Sequence, residues 1–191
     1  RLSLTGGRDS AKGGVINSVI RNFLVISLMP LGFLMAEDLK VKVSEQTFTK
    51  PAAWKSEKTA SRMRAAQFSV PGKEGEEAAV CVFFYFGPGN GGGAQANLQR
   101  WVGQFAEDPK PEFKVDDAKV GEIPVAYLFA NGTFMDGPPF GGAKVPKKNY
   151  GMAAAVLGTK PGYIFVKMTG PEAVVDAAKA DFKKMIESAL K

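Results

Sequence analysis

Gly87-Pro-Gly-Asn-Gly-Gly92 is the stretch whose residue types and spacing come nearest to doing chemistry. It matches G-x-G-x-x-G, follows an apolar run and precedes apolar residues at helical spacing, so its glycines would let a pyrophosphate approach backbone N–H groups at a helix start. Two observations count against a dinucleotide: the strands around it read as hairpins rather than parallel crossovers, and the leader described below would export the chain away from the nicotinamide pool. A phosphate loop fits worse, because Gly93 and Ala94 stand where Lys and Ser/Thr are needed. The first reading is therefore a strand-to-helix turn that needs positive φ. The alternative is capture of a carboxylate or phosphate group at the helix start, by Gly89, Asn90, Gly91, Gly92, Gly93, Asn97 and Arg100. Arg100 and Arg64 read first as solvated or structurally paired arginines, with support of an anionic ligand as the second reading.

Other chemistries are excluded by residue type. The chain has no histidine and one cysteine, so Ser-His-Asp and Cys-His catalysis cannot be assembled within it. Cys81 lies in the most apolar run and reads as a small buried hydrophobe. Glu107, Asp108, Glu112, Asp116 and Asp117 crowd one stretch, but a glycosidase needs two carboxylates opposed across a cleft, which proximity in sequence does not supply. They read as solvated charges. No calcium-loop pattern occurs, no metal is expected and no cofactor is expected. Trp54 and Trp101 read as core residues.

The 191 residues carry a net charge of +6, with 45% apolar and 23% charged side chains, which are ordinary globular values. Half of that net charge sits in residues 1–36, and no Lys/Arg cluster is interleaved with aromatics, so nucleic acid is not an expected partner. The chain opens on Arg1, and its first residues read as an extension upstream of a leader. That leader is Arg21, an apolar run from Phe23 to Met35 and the small Ala36, a signal-peptide pattern too short to span a membrane, with cleavage expected before Glu37. Residues 1–36 are thus extension plus leader, 37–46 a polar lead, and 47–191 a single domain.

Within the domain, Thr47–Lys55 reads as an edge strand broken by Pro51. Met63–Val70 and Ala78–Gly87 form an expected hairpin across a longer turn. Leu98, Trp101, Val102 and Phe105 fall at helical spacing, and that helix is expected to run until Pro109. Phe113–Ile123 is a polar alternating strand or two short ones. Pro124–Phe134 is a strand with a turn or bulge at Asn131-Gly132. Met135–Asn149 reads as a long irregular loop, the second glycine-rich segment. Tyr150–Leu157 and Tyr163–Met168 make a hairpin. Thr169-Gly-Pro-Glu172 has the capping-box pattern, opening a helix whose apolar face is Val174, Ala178, Phe182, Met185, Ile186 and Ala189. The class is α+β, a mostly antiparallel sheet of about six or seven strands against two main helices.

The phrases RMRAAQFSVP, GGGAQANLQRWVGQF, ANGTF and VKMTGPEAVVDAAKADFKKMIESAL resemble an uncharacterised family of exported bacterial proteins over residues 48–190. The order of elements is similar to the PsbP-like fold, an α/β/α sandwich whose members include photosystem accessory proteins. Neither resemblance carries a catalytic residue onto this chain. The expectation is an exported, periplasmic or extracellular, non-catalytic binding or accessory domain of the cell envelope, with a small anionic ligand or an envelope protein as partner. Loops 87–93 and 137–142 would frame its shallow site. A carboxylate hydrolase and a purely structural interaction domain are the alternatives.

Overall fold

The computed structural model describes residues 39–59, 61–138 and 141–189. These belong to one unit, Ala36–Lys191; the expected leader and its cleavage point lie outside the described residues. The elements run β1 (Lys40–Val43), β2 (Gln46–Thr49), β3 (Lys55–Ser56), β4 (Arg64–Val70), β5 (Ala79–Tyr85), α1 (Ala94–Val102), β6 (Glu112–Val120), β7 (Ile123–Asp136), β8 (Val145–Thr159), β9 (Gly162–Pro171) and α2 (Glu172–Ser188). β1 and β2 pair in a small hairpin of their own, while the other strands form a seven-stranded antiparallel sheet in the order β3-β4-β5-β9-β8-β7-β6. The α+β class expected from the sequence is the observed one.

Period-two alternation sorts the strand residues to two faces. Phe68, Cys81, Phe83, Val166, Met168, Ala155 and Val125 point to one face and meet Val174, Val175, Phe182, Met185 and Ile186 of α2, with Phe48 of β2 closing the same core. Phe165, Ala154, Val156, Leu128 and Ala130 point to the other, where Leu98 and Trp101 of α1 cover them. The apolar stripe of α2 is the one its spacing predicts: all six expected residues are buried.

Several boundaries differ from expectation, each for an identifiable reason. The polar stretch before residue 47 contains β1, whose Val43 is buried against the α2 core. The single edge strand expected over 47–55 is two strands serving different sheets, separated by a turn in which Trp54 N–H bonds to Pro51 O at 3.0 Å. α1 ends at Val102 rather than at Pro109, because residues 104–106 leave the helix to bond with β7: Ala106 N–H to Thr133 O and Met135 N–H to Gln104 O, both 2.8 Å. Asn131-Gly132 is not a turn: both residues pair with β8, the register shifts just after them between Gly132 and Phe134, and β7 and β8 continue past the irregularity, with Met135 opposite Pro146 and Asp136 opposite Val145. The expected loop over 135–149 therefore shrinks to residues 137–144. The capping box does not form, because Thr169 lies in β9 between Val80 and Met152; the N-cap of α2 is Pro171, with no side-chain bond.

Candidate functional site

The face under α1 carries one ionisable residue in the middle of the sheet. Across five strands the register aligns Gln67, Val82, Lys167, Ala154 and Leu128 in a row. Alternation along β9 forces Lys167 to this side, between Phe165 and Thr169. The main footprint of α1 falls on β7 and β8, so Lys167 stands beside the helix rather than beneath its centre. Its Nζ donates to Gln104 Oε1 at 3.0 Å, and the bonds from residues 104 and 106 to β7 hold Gln104 there.

Lys167 sits among like charges. Burial first, then Arg100 and Arg64, with a smaller push from Lys144, bring its pKa down to about 8; Asp136 alone among the principal influences works the other way. Both arginines are exposed yet tethered: Arg64 Nη1 donates to Gln67 Oε1, and Arg100 Nη2 donates to Asn97 Oδ1. A guanidinium has five N–H donors, so each of these bonds leaves others to aim at a ligand. Phe84, directly opposite Arg64 on β4, stacks with the exposed Phe86 at 6.2 Å between ring centroids. Four cations against one carboxylate, with two guanidinium forks and an aromatic wall, suit a carboxylate or phosphate group.

Of the seven candidate residues, Arg100 alone reaches this cluster. Asn97 is buried and donates its amide to Gly91 O at 2.8 Å and Gly93 O at 2.9 Å, so it closes the loop onto the helix instead of facing a ligand. Gly91 and Gly92 take φ of 84° and 75°, the left-handed values the turn reading requires. Gly89 and Asn90 are exposed, with the Asn90 amide donating to Pro88 O at 3.1 Å. Gly93 is the N-cap at an ordinary φ of −76°. The two glycine-rich loops do not converge: the first packs against Gly162 at one end of the fifteen-residue β8, and the second precedes Val145 at its other end.

Arg64 and Arg100 stand far apart in the sequence, and Lys167 is not among the candidate residues there. The available signal was a lysine inside the apolar alternation of YIFVKM, on the face shared with Phe165. The acids form no comparable centre. A cleft of about 630 Å³ between β2 and α2 has Asp181 as its one carboxylate, and another of about 440 Å³ beside β6 has Asp117. Among the described residues no three His, Cys, Asp or Glu side chains approach one another closely enough to hold a metal. Cys81 is fully buried, and burial pushes its thiol pKa far up, so it is inert. No helix among the described residues is long and apolar enough to cross a membrane, which says nothing of a β-barrel.

No family model matches the chain. No curated protein matches it either. Among solved structures it is similar to PA94, a protein of unknown function from Pseudomonas aeruginosa, at 15% identity, covering 80% of this chain and 95% of that one with a TM-score of 0.43. It is also similar to CyanoP, the cyanobacterial PsbP of Synechocystis, at 12% identity, covering 78% and 89% with a TM-score of 0.48. The likeness to PsbP expected from the sequence is present, and at these identities it is one of fold alone.

Proposed function

We propose that this chain is an exported, non-catalytic accessory domain of the cell envelope that holds a small anionic ligand at the cationic cluster around Lys167. The observation that carries the reading is electrostatic: Arg100, Arg64 and Lys144 all bear on the part-buried Lys167, with Asp136 as the carboxylate acting against them. An unpaired group of cations costs free energy in the empty protein, and an anion placed among them relieves it. Export is supported by the basic, apolar, small-residue order of residues 21–36. The non-catalytic character is the reading of a sequence with no histidine and one cysteine, which is buried.

The test is calorimetric titration of the full chain with inorganic phosphate at pH 7, alongside Lys167→Met and Arg100→Gln. Saturable binding that weakens about tenfold or more in each variant is the expected result, the size of one lost charge-assisted bond. Absence of saturable binding, or binding unchanged in both variants, overturns the site. Export is tested separately by N-terminal sequencing of the protein recovered outside the cytoplasm, which should begin at Glu37.

A further inference from the structure

The two edges of the seven-stranded sheet are unequal. At one edge β3 is only two residues long, which leaves little ladder for another chain to join. At the other, β6 runs for nine residues, pairs on one side with β7, and among the described residues has no strand on its outer side. Two large apolar side chains on this strand are exposed, Phe113 at 57% and Val115 at 43%, and alternation puts both on the same face.

The strand reads Glu112-Phe-Lys-Val-Asp-Asp-Ala-Lys-Val120. A two-fold axis perpendicular to the sheet would pair β6 with a second copy of itself antiparallel, the axis passing through one residue position. Charge sorts the possible registers. With Asp116 or Asp117 on the axis, that carboxylate opposes its own copy. With Lys114 on the axis, lysine opposes lysine and Glu112 opposes Asp116. With Phe113 on the axis, only residues 112–114 of the two strands overlap. With Ala118 on the axis, Asp117 opposes Lys119 twice, but only residues 116–120 overlap and the exposed Phe113 and Val115 are left outside. With Val115 on the axis, residues 112–118 overlap, Lys114 opposes the second copy's Asp116 twice, Val115 meets Val115, and each Phe113 opposes the other copy's Asp117 and lies diagonal to its Val115. Lys114 and Asp116 already stand on one face, 2.8 Å apart as an ion pair within the strand, so both side chains are placed to bridge to a neighbour.

We propose that two copies of this chain associate through antiparallel pairing of β6 with Val115 on the two-fold axis, joining both seven-stranded sheets into one. Opposite-charge and apolar cross-strand pairs supply the register, and the open backbone groups of β6 supply the ladder. The occupant is a second copy rather than an unrelated strand because, of the registers free of like-charge opposition, the one with the longest overlap pairs the strand's own Lys114 with its own Asp116. Pairing by a single edge is a small contact, and weak, concentration-dependent association is its expected form.

The test is sedimentation equilibrium of the full chain up to about 100 µM, where a contact of micromolar affinity is largely occupied. The wild type should shift toward twice its 20.4 kDa mass as concentration rises. Val115→Lys, which sets two ammonium groups on the axis, should remain monomeric. Lys114→Glu should weaken association at least tenfold by facing Asp116 with a like charge, and adding Asp116→Lys should restore it. Melting temperatures of all variants establish that the fold is intact, which exposed edge substitutions are expected to preserve. A chain monomeric at every concentration overturns the proposal. So does a dimer indifferent to Val115→Lys, or a charge reversal that fails to restore pairing in a folded double variant.

Discussion

Asn97 donates its side-chain amide to the carbonyl of Gly91 across 2.8 Å, reaching back over the first turn of α1 to the loop that feeds it. The same nitrogen serves Gly93 O at 2.9 Å, and the Asn97 oxygen accepts from Arg100. Gly93 O also accepts the Asn97 backbone N–H at 3.2 Å, so it is the half-buried Gly91 that depends on the side chain, and a buried carbonyl without a donor costs about 1–3 kcal/mol. Asn97→Leu should therefore destabilise the domain by about 1–3 kcal/mol in urea unfolding. It should also weaken phosphate binding, because Arg100 loses its tether. A variant of unchanged stability would mean that the loop is held by something else.

Gly91 and Gly92 both have positive φ, but their surroundings differ. A Cβ at Gly91 would stand 2.6 Å from Phe165 Cε2 and 2.9 Å from Phe86 Cδ2, whereas one at Gly92 would meet only Asn97 Nδ2 at 3.5 Å. Left-handed backbone alone costs a residue with a side chain about 1–2 kcal/mol, which is the expected loss for Gly92→Ala. Gly91→Ala should lose roughly 3 kcal/mol or more, because the buried Phe165 ring and the exposed Phe86 ring must also move. Equal losses at the two positions, measured by thermal unfolding, would show that conformation and not ring contact decides.

How far the sequence foretells this fold depends on whether a residue's local pattern and its tertiary role agree. They agree in α2, where the stripe from Val174 to Ala189 is the buried face, and in β5, whose apolar run is buried at the centre of the sheet. They part where pairing overrides local chemistry. Gly132 and Pro146 look like loop residues, yet the β7–β8 ladder carries both, with the register shift after Gly132 absorbing the misfit. Thr169 resembles a cap because Glu172 follows it, but its backbone belongs to β9. Lys40–Val43 alternates charge with valine, and only the core beneath Val43 distinguishes a strand from a polar lead. The cluster around Lys167 was illegible for the same reason: Arg64, Arg100, Gln104 and Lys167 lie on four segments, and only the sheet register and the pairing of residues 104–106 bring them together.

Tyr127 carries a hydroxyl that the fold does not use. The residue is 3% exposed, its ring stacks on Phe129 at 6.3 Å, and Lys183 Nζ lies 5.3 Å from its ring centre. Among the described residues Oη has no hydrogen-bond partner, and burial, reinforced by Glu187, pushes its pKa up to about 12. Removing the oxygen keeps the stack and the cation over the ring while ending the desolvation cost. Tyr127→Phe should therefore raise stability by about 1 kcal/mol. A loss of that size in thermal or urea unfolding would contradict the reading.

Lys167 makes stability depend on alkaline pH with a definite sign. Its folded pKa of about 8 lies below the ordinary 10.5, so burial and the neighbouring arginines disfavour its charged form in the native state. Below pH 8 both folded and unfolded chains carry the proton and the full penalty is present. Between pH 8 and 10 the unfolded chain holds more protons than the native one at this site, so stability rises with pH there. Above pH 10 the raised pKa of Tyr127 works the other way, since the unfolded tyrosine ionises first. In buffers free of small polyvalent anions, the wild type should gain roughly 1–3 kcal/mol relative to Lys167→Met between pH 8 and 10. Lys167→Met should be the more stable protein at pH 7, and a wild type that tracks the variant at every pH would show that the ammonium is solvated. An anion bound beside Lys167 should flatten the same curve, because its charge holds the lysine protonated and moves the native pKa back toward the ordinary value.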